Sequence, residues 1–537
     1  MFLNKQMTKL YTFTLLISFL FIFSILFEQK YKSKFKYKII GQVDAVLKER
    51  LGKINYLLIF LFLIISQAYY LNFETIDWDI NSYLVASQDV LRGNLPYETQ
   101  WESKQVLFYY LYALIIKISA GNLIIFKLIN DIVLFSITII LFLIVDKLTN
   151  DKVKALFSSL LFTLIMAQPW ASAEFSEIYC LLFISGAFLI LVSDQINKTR
   201  ILIIGVLLAS SSLINIGSAI FTIPFFLYVY KKKESKLYIN FFTGLAIPHS
   251  LFLFIYFLRG ELNVYWSTLV IIPNAYRGEE MNFFKEFINF LRSLYEFDQF
   301  IYVAVFYLFI SLFLELFKLK NIKESLKTIN NISVQFIFIS ILFYYLASHG
   351  YYHHLIFFIY FLPLLVVKLK EKFSVYIFYL IMIFATTSIF SSQIQTSIYN
   401  LQNLDSIYAN YPLKKLSKEI DSQFNSNYEV LAFDTLLVLF YLDKPNFSYI
   451  VHPTNHNEDF ITDNLKNIGK SVDDEPKKLV DLEPDVIMCS NNQIIHCEIY
   501  DYKKNYKELD SLKYRQDPTL QFYDNQTFQF RVFIKEP

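Results

Sequence analysis

Residues 73–105 read FETIDWDINSYLVASQDVLRGNLPYETQWESKQ, and they follow directly on the apolar run NYLLIFLFLIISQAYYL at 55–71. Asp77 and Asp79 therefore fall at a membrane surface, immediately after a span. Residues 81–92 place Tyr83, Leu84, Ala86, Val90 and Leu91 at helical spacing. An amphipathic helix of that kind lies in the interface plane. Gly93-Asn94-Leu95-Pro96 ends it, since glycine and proline punctuate helices. Lys104 comes last, ahead of a second apolar stretch, 105–120, that carries Lys117.

Outward from this loop the chain is dominated by apolar runs. Of its 537 residues, 55% are hydrophobic and only 18% charged, and Phe (56) and Tyr (39) are abundant. Globular chains sit nearer about 45–50% apolar. The mean hydropathy is +0.40. A helix crosses the hydrocarbon with about 20 apolar residues. Candidate spans are 10–27, 54–72, 123–146, 153–170, 176–194, 200–230, 238–258, 299–318, 333–349, 352–368 and 373–391. The 200–230 run is interrupted at Asn215-Ile216-Gly217-Ser218 and reads as two short spans. Residues 10–27 lack a small-residue cleavage site and do not read as a cleaved signal.

Basic residues concentrate in 28–53, 146–154, 194–200, 231–237, 318–328 and 368–372, which the positive-inside rule places in the cytoplasm. The loops 73–104, 168–176, 259–298 and 349–352 then face outside. About twelve crossings satisfy every assignment, with 105–120 a re-entrant or surface helix on the outer face. The same parity puts the N-terminus and everything after 391 outside. The division is an N-terminal span with a basic loop (1–53), a transmembrane catalytic domain (54–392) and a soluble extracytoplasmic domain (393–537).

That last domain is polar and mixes patterns. Residues 411–424, 456–469 and 474–483 read as helices, and 428–434 and 485–490 as strands. Residues 519–524 and 527–534 read as a closing strand pair, so the domain reads as α/β. Of three cysteines, Cys180 sits in a span, while Cys489 and Cys497 flank a turn. An extracytoplasmic location permits a disulfide there, and reduced thiols are the alternative. The net charge of +2 argues against a nucleic-acid partner.

The order Asp79-x-x-x-Tyr83, helix, Gly93-x-x-x-Tyr97, Trp101-x-x-Lys104, then LFYYLYAL (107–114) resembles the first external loop of bacterial GT-C glycosyltransferases. These are relatives of protein O-mannosyltransferases and lipid A aminoarabinose transferases. Weaker echoes follow at Lys127 and Asn130, at Glu174 and Glu177 in the second outer loop, and at His353-His354 ahead of Pro363. The family's Lys-Pro-Pro is Lys104-Gln105-Val106 here.

The resemblance implies a multi-pass inner-membrane enzyme. It would move a sugar, with inversion, from a polyprenyl-phosphate carrier to an extracytoplasmic glycan, lipid or protein acceptor. Asp79, or less well spaced Asp77, would be the base. Lys104 and Lys127 would meet the donor phosphate, and Glu177 and Glu174 would supply second-loop acids. Tyr83, Tyr97, Arg277 and His353 are candidates for substrate binding.

Each residue has a plainer reading. Asp79 can cap helix 81–92. Lys104 can snorkel. Lys127 and Asp131, four apart, can neutralise each other. Arg277 and Arg292 can meet lipid headgroups. His349, His353 and His354 can be structural or can hold a divalent metal, the one cofactor these residues suggest. An O-antigen ligase or polymerase would put its chemistry in the late loop 259–298. A transporter or flippase would need paired mid-bilayer charges and internal repeats, which are not evident.

Overall fold

The computed structural model describes residues 54–74, 77–168, 170–171, 174–193, 196–275, 282–317, 332–347, 351–369, 372–424, 427–470, 475–490, 505–509 and 530–536. The expected span 10–27, the basic loop 28–53, the loop 318–328, Arg277, His349, Cys497 and the strand 519–524 lie outside the described residues.

The fold is helical with a small sheet near its C-terminus. Three described helices are long and apolar enough to cross a membrane: Leu123–Thr149, Ser235–Arg259 and Ser374–Gln402. The second leaves Ile239, Phe242, Leu251, Phe254, Phe257 and Leu258 exposed. So large an apolar face is stable against lipid and costly against water. The 106–118 helix has 13 residues and rises about 20 Å, short of the roughly 30 Å hydrocarbon. It buries Phe108, Tyr109 and Tyr112 in the core. The 200–230 run does break, into helices Lys198–Ser212 and Thr222–Lys232 joined by a 3-10 turn. Asn215 caps that turn by accepting from the Gly217 N–H at 3.0 Å.

Helices Lys198–Ser212 and Ser235–Arg259 approach backbone to backbone. A Cβ on Gly205 would stand 2.5 Å from the Phe241 carbonyl oxygen, and one on Gly244 would stand 2.3 Å from that of Leu202. Small residues permit this in membranes, where lipid tails offer no hydrophobic drive for association.

The last long helix runs Lys372–Gln402, past the expected end at 391. Its final turns bind the C-terminus of helix Asn55–Ala68. The Asn400 amide donates to the carbonyls of Ala68 (2.8 Å) and Tyr69 (3.1 Å), and the Ser397 hydroxyl donates to that of Ile65. Carbonyls at a helix end have no partner of their own, so the asparagine satisfies them.

The sheet has four described strands in the order β1-β2-β4-β3: β1 (Val430–Ala432), β2 (Val486–Ser490), β3 (Tyr506–Leu509) and β4 (Phe530–Lys535). β1 and β2 are parallel, and β4 runs antiparallel to β2 and β3. Alternation splits the strands' residues. Leu431, Phe433, Ile487, Cys489, Tyr506 and Phe533 form one small core with Val480. Val430, Ala432, Val486, Met488 and Val532 face the other way and join the main core of the molecule. Cys489 is disulfide-bonded and Cys180 is free and buried.

Gly244→Val tests the helix contact. Overpacking of this kind costs about 1–3 kcal/mol or more. The variant should lose its monodisperse peak at a clearly lower temperature than wild type when heated detergent extracts are run on size exclusion. An unchanged profile would show that the two helices are free to separate.

Candidate active site

The first loop folds into helix Trp78–Leu91, which starts earlier than its apolar spacing implied. Asp77, not Asp79, is its N-cap: the Asp77 carboxylate accepts from the Asp79 N–H at 2.8 Å. Asp77 is 3% exposed, whereas the Asp79 side chain keeps 25% of its surface.

Asp79 is held by two donors. One is the Tyr83 hydroxyl (3.0 Å), one turn along the same helix face. The other is the imidazole Nε2 of His452 (2.8 Å), from the C-terminal region. The Thr454 N–H donates to His452 Nδ1 at 3.3 Å, which assigns the resting ring proton to Nε2. If the ring gains a second proton, the Thr454 hydroxyl at 2.8 Å can accept it.

These contacts separate the two carboxylates electrically. Burial opposes the charge on Asp79, but the hydrogen bond and charge of His452 and the charge of Lys104 hold it below the usual carboxylate range. Burial, reinforced by the charge of Asp79, pushes Asp77 well above that range. Environments that drive a carboxylate pair apart give the two members different tasks. Burial also opposes charge on His452, but Asp79 prevails and raises it above the ordinary histidine value.

Lys104 completes this group. Its ammonium lies 5.6 Å from the centre of the Tyr83 ring. Burial works against its charge, but Glu177, Asp79 and Glu102 raise its pKa. Its backbone is fixed on both sides. The Tyr97 hydroxyl donates to its carbonyl, and its N–H donates to Glu102 (3.2 Å) and Tyr109 (3.1 Å). Tyr109 in turn donates to Glu102. Tyr97 thus supports the lysine from behind, with its ring buried.

Glu177 is fully buried in the first turn of helix Ser176–Leu191. It lies beside His353 and His354. The structure therefore gathers Asp77, Asp79, Tyr83, Lys104, Glu177 and His353. Lys127 and Glu174 lie elsewhere, in a cleft of about 270 Å³, partly open to solvent, lined also by Glu74, Ile80, Asn81 and Leu84. Positions 80 and 84 sit about 100° round the helix from 79 and 83. Lys127 donates to the carbonyls of Phe73 (2.6 Å) and Glu74 (3.4 Å), and no ion pair with Asp131 is formed among the described residues.

Sequence reasoning missed His452, Glu102 and Glu74. The first comes from the segment 446–452, which docks along the loop. Trp101 forms a parallel bridge with Ile450. Its N–H donates to Tyr449 (2.6 Å), and its carbonyl accepts from Val451 (2.9 Å). The Gln100 amide donates to the carbonyls of Asn446 and Ser448. Glu74 works at a second point of contact: its carboxylate accepts from the N–H groups of Leu413 (2.7 Å) and Lys414 (3.0 Å), which open helix Pro412–Asp421.

No protein-family model matches the chain, and no curated protein does. Among solved structures, the crystal structure of ArnT from Cupriavidus metallidurans bound to undecaprenyl phosphate matches with a TM-score of 0.56. The match covers 81% of this chain and 93% of that one, at 10% identity. The chain shares the fold of that structure. At that identity the likeness extends to the fold alone, and the roles of the residues must be argued from their own surroundings.

Glu74 gives a test of the docked arrangement. Burial raises its pKa from 4.5 to about 7, against the bonds from Leu413 and Lys414. The folded state therefore binds this proton more tightly than the unfolded state. That contribution to stability is full below pH 4.5 and is lost as pH rises toward 7. Glu74→Gln should flatten the pH dependence of thermal stability across this window. An identical slope in wild type and variant would contradict the assignment.

Proposed function

We propose that this protein is an inverting glycosyltransferase that moves a sugar from a polyprenyl-phosphate carrier to an acceptor hydroxyl outside the cytoplasm. The observation that carries this reading is the solvent-reaching Asp79 carboxylate, clamped by Tyr83 and His452, with the half-buried Lys104 ammonium beside it. The GT-C fold and the bilayer-facing helices support it. The undecaprenyl phosphate bound to the neighbouring structure is a polyprenyl phosphate, the class of carrier proposed here.

The chemistry follows from the charges. The acceptor oxygen attacks the anomeric carbon from the face opposite the phosphate. As that bond forms, the hydroxyl proton becomes acidic and passes to Asp79. The bond from the anomeric carbon to the phosphate oxygen breaks, and its electron pair leaves with the lipid phosphate. Lys104 neutralises that growing charge in a site partly shielded from water, where such stabilisation is strongest. The clamp keeps Asp79 ionised and oriented. Asp77 caps the helix through the Asp79 N–H.

The late loop bears on the ligase-like alternative. Thr268 there accepts from the Trp101 indole N–H at 2.9 Å, so the described part of 259–298 buttresses the first loop. About twelve crossings, an extracytoplasmic C-terminal region and outward loops 73–104 and 168–176 complete the proposed topology. The disulfide-bonded Cys489 supports it, since disulfides persist in oxidising compartments.

Asp79→Asn retains the shape of the side chain but cannot take a proton. It should slow sugar transfer from polyprenyl-phosphate donors by about 10²–10⁴-fold. Asp77→Asn should cost much less, because asparagine caps as well as aspartate. Lys104→Ala should raise the donor KM as well as lower kcat. His452→Ala should move the acid limb of the rate profile to higher pH, because Asp79 loses the donor that depresses its pKa. Transfer at the wild-type rate by Asp79→Asn would overturn the base assignment.

Orientation is tested separately by single cysteines. In intact cells, Lys478→Cys, on an exposed position, should react with an impermeant maleimide, and Lys232→Cys should not. The reverse pattern would invert the topology.

A further inference from the structure

We propose that Glu177, His353 and His354 form a divalent transition-metal site of the zinc type, beside Lys104, whose open position receives an oxygen of the donor phosphate. The second half of this proposal rests on the glycosyltransferase reading; the metal site itself does not.

The three side chains offer one ligand atom each, all within 4.8 Å of one another, and all three residues are buried. They come from two elements far apart in sequence. Glu177 lies in the first turn of helix Ser176–Leu191, and the histidines lie in the 3-10 turn Tyr352–Leu355. Their meeting is thus a product of the fold. Tetrahedral ligands about 2.1 Å from a metal stand roughly 3.4 Å apart. Side-chain rotations of the order of an ångström bridge the difference.

The surroundings resemble the outer support that ligands need. The Glu177 carboxylate accepts from the Asn215 amide (3.1 Å) and the Ser176 hydroxyl (3.1 Å), both neutral donors. Hydrogen bonds of this kind orient ligating carboxylates. The His353 ring stacks on Phe175 (4.7 Å, 13°) and on Tyr351 (5.6 Å, 8°), which fixes its plane. His353 and His354 have ring centroids 4.4 Å apart at 74° to each other.

The donor set selects the metal. Two imidazoles and one carboxylate suit zinc and its transition-metal neighbours, whereas magnesium and calcium want oxygen ligands. Three protein ligands leave a fourth position open, the arrangement of sites that bind substrate. Glu177 is the largest source of negative charge acting on Lys104. A dication there and Lys104 together would offset the charge of a phosphate that a single lysine neutralises only in part.

The test measures metal before activity. Full-length wild-type protein in detergent is stripped with chelator, dialysed against zinc and assayed by mass spectrometry. About one equivalent is expected for a site of this kind. Glu177→Gln and His354→Gln should each lose most of it while keeping the wild-type size-exclusion profile, and Asp79→Asn should retain it. Cobalt-loaded wild type should show the visible bands of a four- or five-coordinate ion, which requires no variant to fold.

Wild type without stoichiometric metal, or variants that keep it, would overturn the site. Undecaprenyl phosphate binding to Asp79→Asn protein, which does not turn over, tests the phosphate contact. Stripping the metal should weaken that binding about tenfold or more, the size of one lost charge-assisted contact. Equal affinity with and without metal would overturn the contact. Because neither readout requires sugar transfer, failure of the glycosyltransferase reading is recognised independently.

Discussion

The hydrogen bond from the His452 imidazole to the Asp79 carboxylate joins residues 373 apart in the chain. Withdrawal from water raises the pKa of a carboxylate and works against its charge. Here a ring with a raised pKa and a phenol that burial keeps protonated both point at it. The ring can do so only if the C-terminal region is docked on the loop. The Trp101–Ile450 bridge, the Gln100 amide contacts and the Glu74 cap all serve that docking. Each satisfies backbone groups that would otherwise be buried without partners. Docking and electrostatics are therefore one requirement.

The same contacts explain the shape of the loop. Tyr97 takes a positive φ of 69°, unusual for an aromatic residue. Its ring is buried and its hydroxyl holds the Lys104 carbonyl. Its own carbonyl accepts from Tyr449 at 2.6 Å, and the neighbouring Pro96 carbonyl accepts from Tyr256 at 2.7 Å. Tyrosines thus do for this loop what a ladder does for a strand, supplying donors to carbonyls from several directions.

Much of this was legible in the sequence because it depends on local spacing. The helix after the first span and the break near Asn215 follow from apolar spacing and helix-breaking residues, and the Asp79–Tyr83 spacing was part of the resemblance. His452 and Glu74 were not legible, because each acts on a partner more than 300 residues away, and neither lies in a periodic pattern that says what it faces. Lys127 illustrates the converse. Asp131 is its sequence neighbour at i+4, yet backbone carbonyls of the first loop claim its ammonium. In the sheet, β4 pairs with both β2 and β3. β3 is short and carries Lys507 and Glu508, the charged character of an edge, so its alternation is too faint to read.

The distance along the chain between Asp79 and His452 also sets an order of events during synthesis. The loop that carries the carboxylate is made early, and its partner ring emerges only after some 370 further residues. Until then Asp79 has Tyr83 as a donor and no imidazole. The helix that Glu74 caps is likewise not yet made. A nascent or prematurely terminated chain therefore carries the spans and the loop without a finished carboxylate clamp. Synthesis through His452 is therefore a condition of a complete carboxylate clamp.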